Sequence, residues 1–204
     1  MKNRATETEL APRKTPRQRR SAETVGAIVE AAARILETEG LGGYSTNTIA
    51  ERGGVSIGSL YQYFGSKDAI TGALIARETR SLMEDMAPLK GVPDGRAGLE
   101  RMIDIAVFHQ FRRPALARLL DMLEERLPLA DQLGRTAEEL RAVIQHCLNA
   151  YDRDIDRRAV EDILAVVRAM VDSAARLAET DLPGLRHRVG RAVFGYLDSR
   201  LSCS

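Results

Sequence analysis

The chain has 204 residues, of which 44% are hydrophobic and 29% charged, and its formal net charge is +1. These proportions are typical of a soluble globular protein with one domain or two small ones. No apolar run approaches the length of a membrane span, and the charged N-terminus lacks the apolar stretch of a secretory signal. The cytoplasm is therefore the expected compartment. Cys147 and Cys203 match no metal or redox spacing.

Residues 1–20 are predicted to form a basic flexible arm. They hold seven basic and two acidic residues, a balance of +5 that leaves −4 for the rest of the chain. Clustered positive charge of this kind is attracted to the phosphates of nucleic acid. The alternative is a solvated tail that keeps the protein soluble. Arg17, Arg19 and Arg20 abut the first predicted helix and are the candidates for phosphate contacts.

The first helix is predicted over residues 21–39. Apolar residues recur along it at helical spacing, and Gly40 is a typical residue for its end. The apolar positions are Val25, Ile28, Val29, Ala32, Ile35 and Leu36. Two short helices follow that cannot bury a core alone, so we expect this apolar face to cover them.

Residues 45–68 have the pattern of two short helices joined by a glycine turn. The first, over residues 46–52, buries Ile49 and Ala50, and Gly53-Gly54 supplies the turn. Ser56 is a good N-cap for the second helix, which runs to about residue 64 and buries Leu60 and Phe64. This arrangement is the helix-turn-helix, whose second helix enters the DNA major groove.

The exposed side of the second helix suits DNA. Its residues are uncharged and mostly small or able to form hydrogen bonds, and no carboxylate occurs from Arg52 through Lys67. Gly65-Ser66 then predicts a helix end and a new N-cap, and a helix N-terminus with Lys67 in its first turn favours an anion. The alternative is an ordinary glycine-hinged hairpin within a helical protein. The exposed residues are Ile57, Gly58, Ser59, Tyr61, Gln62 and Tyr63.

Residues 46–74, with Leu-Tyr-Gln-Tyr-Phe-Gly-Ser-Lys-Asp-Ala-Ile at their centre, resemble the DNA-binding domain of TetR-family transcriptional repressors. The resemblance covers about residues 21–74. It implies phosphate contacts from Thr46, Tyr61 and Lys67. It also implies that certain residues approach base edges: Asn47, Ile57, Gly58, Ser59 and Gln62. Tyr63 stands where many members carry histidine, and its phenol can still donate to phosphate.

The remaining chain is predicted to be helical. Helices are expected over residues 66–86, 96–113, 114–127 and 130–151, with a loop over 88–95 because it holds two prolines and two glycines. The predicted domains are the arm at 1–20, the DNA-binding domain at 21–68, and a helical regulatory and dimerisation domain at 69–204.

The last two helices, over residues 157–180 and after Pro183-Gly184, have apolar faces broader than one surface helix needs. We expect them to form a four-helix interface with a second copy, as the TetR resemblance also implies. The alternative is an ordinary buried hairpin. Ala174 and Ala178, four residues apart, would permit close helix approach. The predicted interface residues are Val160, Leu164, Val167, Val171, Ala174, Ala178, Val189, Val193 and Tyr196.

No catalytic or metal-binding pattern is apparent, since His109, His146 and His187 stand alone, and no cofactor is expected. A region rich in Met and Phe instead predicts a pocket for a largely hydrophobic or aromatic effector. The alternative is that these residues are simply core. The candidate lining is Met102, Phe108, His109, Phe111, Met122, Val143, Cys147 and Met170.

The sequence therefore predicts an all-α, homodimeric, TetR-like DNA-binding regulator. Its partners would be a palindromic double-stranded operator, a second copy and a small effector, with no membrane. We expect a repressor that the effector releases from DNA. The alternative is a helical adaptor with a vestigial helix-turn-helix, which the basic arm and the carboxylate-free segment disfavour. An enzyme is disfavoured by the missing catalytic groups.

Overall fold

The computed structural model describes residues 19–127, 130–152 and 155–201, and the regular structure within these ranges is entirely helical, as predicted. None of the described helices is both long and apolar enough to cross a membrane. A short 3₁₀ helix, Ala87–Gly91, lies between the fourth and fifth α-helices. In chain order the α-helices are α1 Arg19–Gly43, α2 Thr46–Arg52, α3 Ile57–Tyr63, α4 Lys67–Met86, α5 Gly95–Arg112, α6 Pro114–Glu124, α7 Ala130–Tyr151, α8 Arg157–Arg176 and α9 Leu182–Leu201.

Most helix ends lie where the sequence places them. The regular turns of α1 are interrupted at Gly40, whose φ of 63° is the left-handed conformation that glycine adopts without strain. Three predictions were wrong. Helix α6 ends at Glu124 rather than at residue 127. Residues 88–95 are not simply a loop, because the 3₁₀ helix occupies their first half. Helix α8 ends at Arg176 rather than at residue 180, because the backbone at Ala178 turns to a φ of 52°.

The first compact unit comprises Met1–Thr79 and Ala115–Leu133. Its core is the buried face of α1, closed by side chains of α2, α3 and the first turns of α4. Ile28, Ile35, Ile49, Leu60 and Phe64 are all fully buried there. Leu116 and Leu120 of α6 belong to the same core. The helix-turn-helix is therefore held by a continuous apolar core, as the face of α1 predicts.

The second compact unit comprises Arg80–Pro114 and Gly134–Ser204. Its core is built from α5, α7, α8 and α9 together with Leu89 of the 3₁₀ helix. Helix α5 approaches α7 so closely at Gly95 that a Cβ there would collide with the backbone of Tyr151. These units divide the chain differently from the predicted boundary after residue 68. The difference arises because α4 runs through that position and α6 packs in the first core.

Most of the predicted dimer-interface residues are core residues of one chain. Their side chains are buried in the second unit, where they pack against the same chain; they are Val160, Val167, Val171, Ala174, Val189 and Val193. Their place in a dimer interface remains a prediction. Leu164 and Tyr196 are partly buried against the same core. Ala178 is exposed but lies beyond the end of α8, so Ala174 and Ala178 are not the pair on one helix that the prediction assumed.

Candidate nucleic-acid interface

The turn between α2 and α3 depends on two glycines for different reasons. Gly54 has a φ of 65°, a conformation that other residues adopt only with strain. Gly53 has an ordinary φ, but a Cβ there would lie 3.0 Å from the carbonyl oxygen of Ile49 and 3.6 Å from that of Ala27. Val55 packs against the core below the turn. The turn therefore fixes the angle between the two helices.

Serine side chains cap the three helices at this end of the first unit. Ser45 Oγ accepts a hydrogen bond from the backbone N–H of Thr48, at 3.2 Å, and so begins α2. Ser56 Oγ accepts from the N–H of Ser59, at 3.0 Å, and begins α3. Ser66 Oγ accepts from the N–H of Ala69, at 3.1 Å, at the start of α4. The predicted caps at Ser56 and Ser66 are confirmed.

Helix α3 has one buried and one exposed side. Leu60 is fully buried, whereas Ile57 and Tyr61 are 40% and 43% exposed. Gly58 and Gln62 are also exposed. Ser59, a predicted base contact, is only half-exposed, and its hydroxyl oxygen lies 2.8 Å from that of Ser56. The outer side of α3 is thus uncharged and open to solvent.

Two of the predicted phosphate-contacting residues meet each other. The hydroxyl oxygens of Thr46, at the start of α2, and Tyr61, on α3, are 3.2 Å apart. Asn47 follows Thr46 and is exposed. These polar groups from the two helices therefore lie together on one surface.

The start of α1 lies beside the end of α3. The Tyr63 hydroxyl donates to Ser21 Oγ at 3.4 Å. Arg20, the residue before Ser21, is exposed. The basic arm consequently joins the described chain next to the end of α3. Arg17 and the side chain of Arg19 lie outside the described residues, so their predicted contacts remain predictions.

Lys67 lies at the first position of α4 and is exposed. Its Nζ donates to the backbone carbonyl of Tyr44 at 3.4 Å and lies 5.5 Å from the centre of the Tyr44 ring. The Tyr44 phenol oxygen is 2.9 Å from Thr71 Oγ1, and both side chains are buried. Burial raises the pKa of Tyr44 to about 12. No motif or spacing in the sequence indicates this network.

The predicted effector-pocket residues do not all lie together. Met102, Val143 and Cys147 are buried in the second core, and Phe111 and Met170 pack against it. Phe108 and Met122 are 51% and 42% exposed, and Met122 belongs to the first unit, so neither lines that core. His109 Nε2 lies 2.6 Å from an oxygen of Asp85.

Residues 28–74 match the family model described as bacterial regulatory proteins, tetR family. This part of the chain is a TetR-family DNA-binding domain. A helix-turn-helix transcriptional regulator from Mycobacterium tuberculosis is 29% identical over 146 residues, covering 69% of this chain and 71% of the relative.

Solved structures of TetR regulators share the fold. One from Haloarcula marismortui has a TM-score of 0.74 at 18% identity, covering 87% of this chain and 98% of its own. One from Streptomyces coelicolor has a TM-score of 0.61 at 26% identity, covering 85% and 98%. In the TetR fold of this chain, the described residues include no cluster of three or more potential metal ligands. Helices α2 and α3, which carry the surface described above, lie within the matched residues 28–74.

Proposed function

We propose that this TetR-family regulator is a repressor whose dimer occupies a palindromic operator and leaves it when a small, largely apolar effector binds. The observation that supports DNA binding is the exposed, uncharged side of α3, followed four residues after its end by the exposed Lys67. An α-helix fits the major groove, where each base pair presents a distinct pattern of hydrogen-bonding groups. A carboxylate on this side would be repelled by phosphate, and the segment has none.

The residues of the surface divide into two proposed roles. Phosphates would be contacted by hydroxyls and cations around α3, namely Thr46, Tyr61, Tyr63 and Lys67, with Arg17, Arg19 and Arg20 from the arm. Base edges would be approached by Asn47, Ile57, Gly58, Ser59 and Gln62. Gln62 is the strongest candidate for sequence readout, because its amide both donates and accepts and can pair with adenine in the major groove.

The proposed dimer uses the outer faces of α8 and α9. Ala165 and Ala169 are exposed four residues apart on α8, and Arg191 and Gly195 have the same spacing on α9. A glycine inside a helix lowers its stability. Apart from the adjoining turns of α9, no atom of the described chain lies within 4 Å of where a Cβ at Gly195 would be. Close approach by a helix of a second copy would account for a glycine at this position.

The proposed effector site lies among α5, α7 and α8. Met102, Phe111, Val143, Cys147 and Met170 share one apolar cluster there. Burial raises the pKa of the Cys147 thiol, which agrees with apolar surroundings. Methionine adapts its shape readily, so the cluster can rearrange around an apolar ligand.

Contacts at the end of α4 would allow such a ligand to affect the DNA-binding surface. Besides the contact between His109 and Asp85, Arg112 Nη1 donates to Ser81 Oγ at 3.2 Å, so two side chains of α5 hold the last turns of α4. Helix α4 begins at Lys67. A ligand that moved α5 would therefore act on the helix that carries a proposed phosphate contact. Release requires that the ligand bind the two conformations with different affinities.

The operator is tested first. Inverted repeats in the DNA that flanks the gene are synthesised as labelled duplexes, and binding is followed by fluorescence anisotropy against a shuffled duplex. A promoter carrying the repeat is then placed before a reporter. We expect tight, repeat-dependent binding and reduced reporter output. Binding that is equal on repeat and shuffled duplexes would contradict an operator-binding role, and increased output would contradict repression.

The effector is tested by melting temperature and operator release together. Apolar and aromatic compounds that raise the melting temperature should also release the duplex, and Met102→Ala should weaken both effects for the same compound. A crystal structure with a filled second core, together with no release by any such compound, would contradict the effector proposal while leaving DNA binding intact.

A further inference from the structure

A chain of buried hydrogen bonds joins Tyr44 to the first turn of α4. The Tyr44 phenol oxygen lies 2.9 Å from Thr71 Oγ1, and Thr71 Oγ1 donates to the backbone carbonyl of Lys67 at 3.1 Å. A threonine hydroxyl has one proton, which this bond uses. The phenol must therefore be the donor to Thr71. Tyr44 and Thr71 are 4% and 2% exposed, so water does not replace these bonds.

The Lys67 side chain closes the chain into a ring. Its ammonium donates to the backbone carbonyl of Tyr44 at 3.4 Å and lies within cation–π distance of the Tyr44 ring. An ammonium group has three protons, so two are left for other acceptors. The ammonium is thus held in place without losing its capacity to bind an anion.

The other end of the ring sets the start of α2. Tyr44 is followed directly by Ser45, the N-cap of α2, and then by Thr46. The ring therefore connects the backbone just before Thr46 to the first residue of α4. These are the positions of two proposed phosphate contacts.

We propose that Tyr44 and Thr71 are positioning residues for DNA binding, holding Thr46 and Lys67 at the separation that lets both meet phosphates of one duplex. The inference rests on the proposed phosphate contacts. Filling the core does not require these hydroxyls, because phenylalanine and valine have nearly the same shapes. A polar pair this deeply buried is unfavourable unless it is fully hydrogen-bonded. Here the hydrogen bonds run from Tyr44 to Thr71 and from Thr71 to the backbone carbonyl of Lys67, so they fix the position of Lys67.

The test is a double-mutant cycle on DNA binding. Tyr44→Phe, Thr71→Val, Lys67→Ala and the double variant Tyr44→Phe/Lys67→Ala are titrated with a synthetic duplex of random sequence over a range of salt concentrations. All measurements are made well below the lowest melting temperature. Because each phosphate contact contributes about 0.9 to the slope of log K against log salt, Tyr44→Phe and Thr71→Val should each reduce the slope by up to about 1. Tyr44→Phe should add no further reduction when Lys67 is already alanine.

Two further variants separate positioning from stability. Ile28→Val removes a methyl group from the same core without touching the ring, so it should lower the melting temperature and leave the salt slope unchanged. Thr71→Ser keeps the hydroxyl, so its slope of log K against log salt should equal that of the wild type.

The possible failures are distinguishable. If Lys67→Ala lowers the slope but Tyr44→Phe and Thr71→Val bind as the wild type does, the positioning role is wrong and the proposed DNA contacts stand. If Lys67→Ala leaves the slope unchanged, the proposed contact fails and the positioning role fails with it.

Discussion

At Gly58 the backbone of α3 is exposed, because glycine has no side chain to cover it. A Cβ there would approach only Ser56 Oγ, at 3.9 Å, so the chain itself can accommodate a side chain. Gly58→Ala should raise the free energy of unfolding by as much as about 1 kcal/mol, because alanine favours the helix. It should weaken operator binding if this backbone approaches a base pair. Gly134→Ala, an equally open change in α7, should stabilise without affecting binding; equal binding by both variants would argue against close approach at Gly58.

Tyr44 should make stability depend on pH in the alkaline range. Its folded pKa is raised by burial from 10.0 to about 12, so the folded state keeps a proton that the unfolded state has lost. The contribution of Tyr44 to the free energy of unfolding is complete below pH 10. It decreases by about 2–3 kcal/mol in all as the pH rises towards 12. The melting temperature of Tyr44→Phe should therefore fall less steeply between pH 9 and about 11.5 than that of the wild type. Parallel curves would show that Tyr44 is not buried as described.

For individual side chains, the sequence reveals hydrogen-bond partners that are near in the chain better than partners that are far apart. The Ser56 cap follows from its position before α3, and the Ser45 cap could have been found by the same rule. The contact between Tyr44 and Thr71 spans 27 residues. No periodicity or motif links such positions, because the pairing depends on how α1, α2 and α4 pack.

The turn between α2 and α3 is the element on which the site depends most. Gly54 and Gly26 both have open space around them, but only Gly54 has a positive φ. Gly54→Ala should lower the free energy of unfolding by about 1–2 kcal/mol, whereas Gly26→Ala should raise it by about 0.5–1 kcal/mol. Urea unfolding of the two variants tests this directly. A stabilising Gly54→Ala would mean that the turn adopts another conformation.

Helical elements are predicted well where caps and glycines bound them, as for α2 and α3. The end of α8 is less evident from the sequence. Leu177 and Ala178 continue the apolar pattern, although the helix itself ends at Arg176. Periodicity also shows that one face of α8 and α9 is buried, but not against what. The pattern alone predicts Val167 and Val193 at a dimer interface, whereas the structure buries both in the core of the chain.

For the whole molecule, the dimer is best tested on an exposed residue. Gly195→Arg places a long charged side chain on the outer face of α9, where the chain leaves room for it. Sedimentation at micromolar concentration should show a dimer for the wild type and a monomer for Gly195→Arg, and operator binding should fall with it. Gly134→Arg on α7 is the matched control and should remain dimeric. A wild-type monomer, or a dimeric Gly195→Arg, would contradict the proposed interface.

Binding across operator variants and salt concentrations shows whether α3 reads base edges while Lys67 contacts phosphate. Lys67→Ala should weaken binding to every duplex alike and reduce the salt slope by about 1. Gln62→Ala should keep the slope and change the order of preference among duplexes altered at one base pair, by about 1–3 kcal/mol at the pair it contacts. If Lys67→Ala left both affinity and slope unchanged, or Gln62→Ala left every preference unchanged, the proposed docking would be wrong.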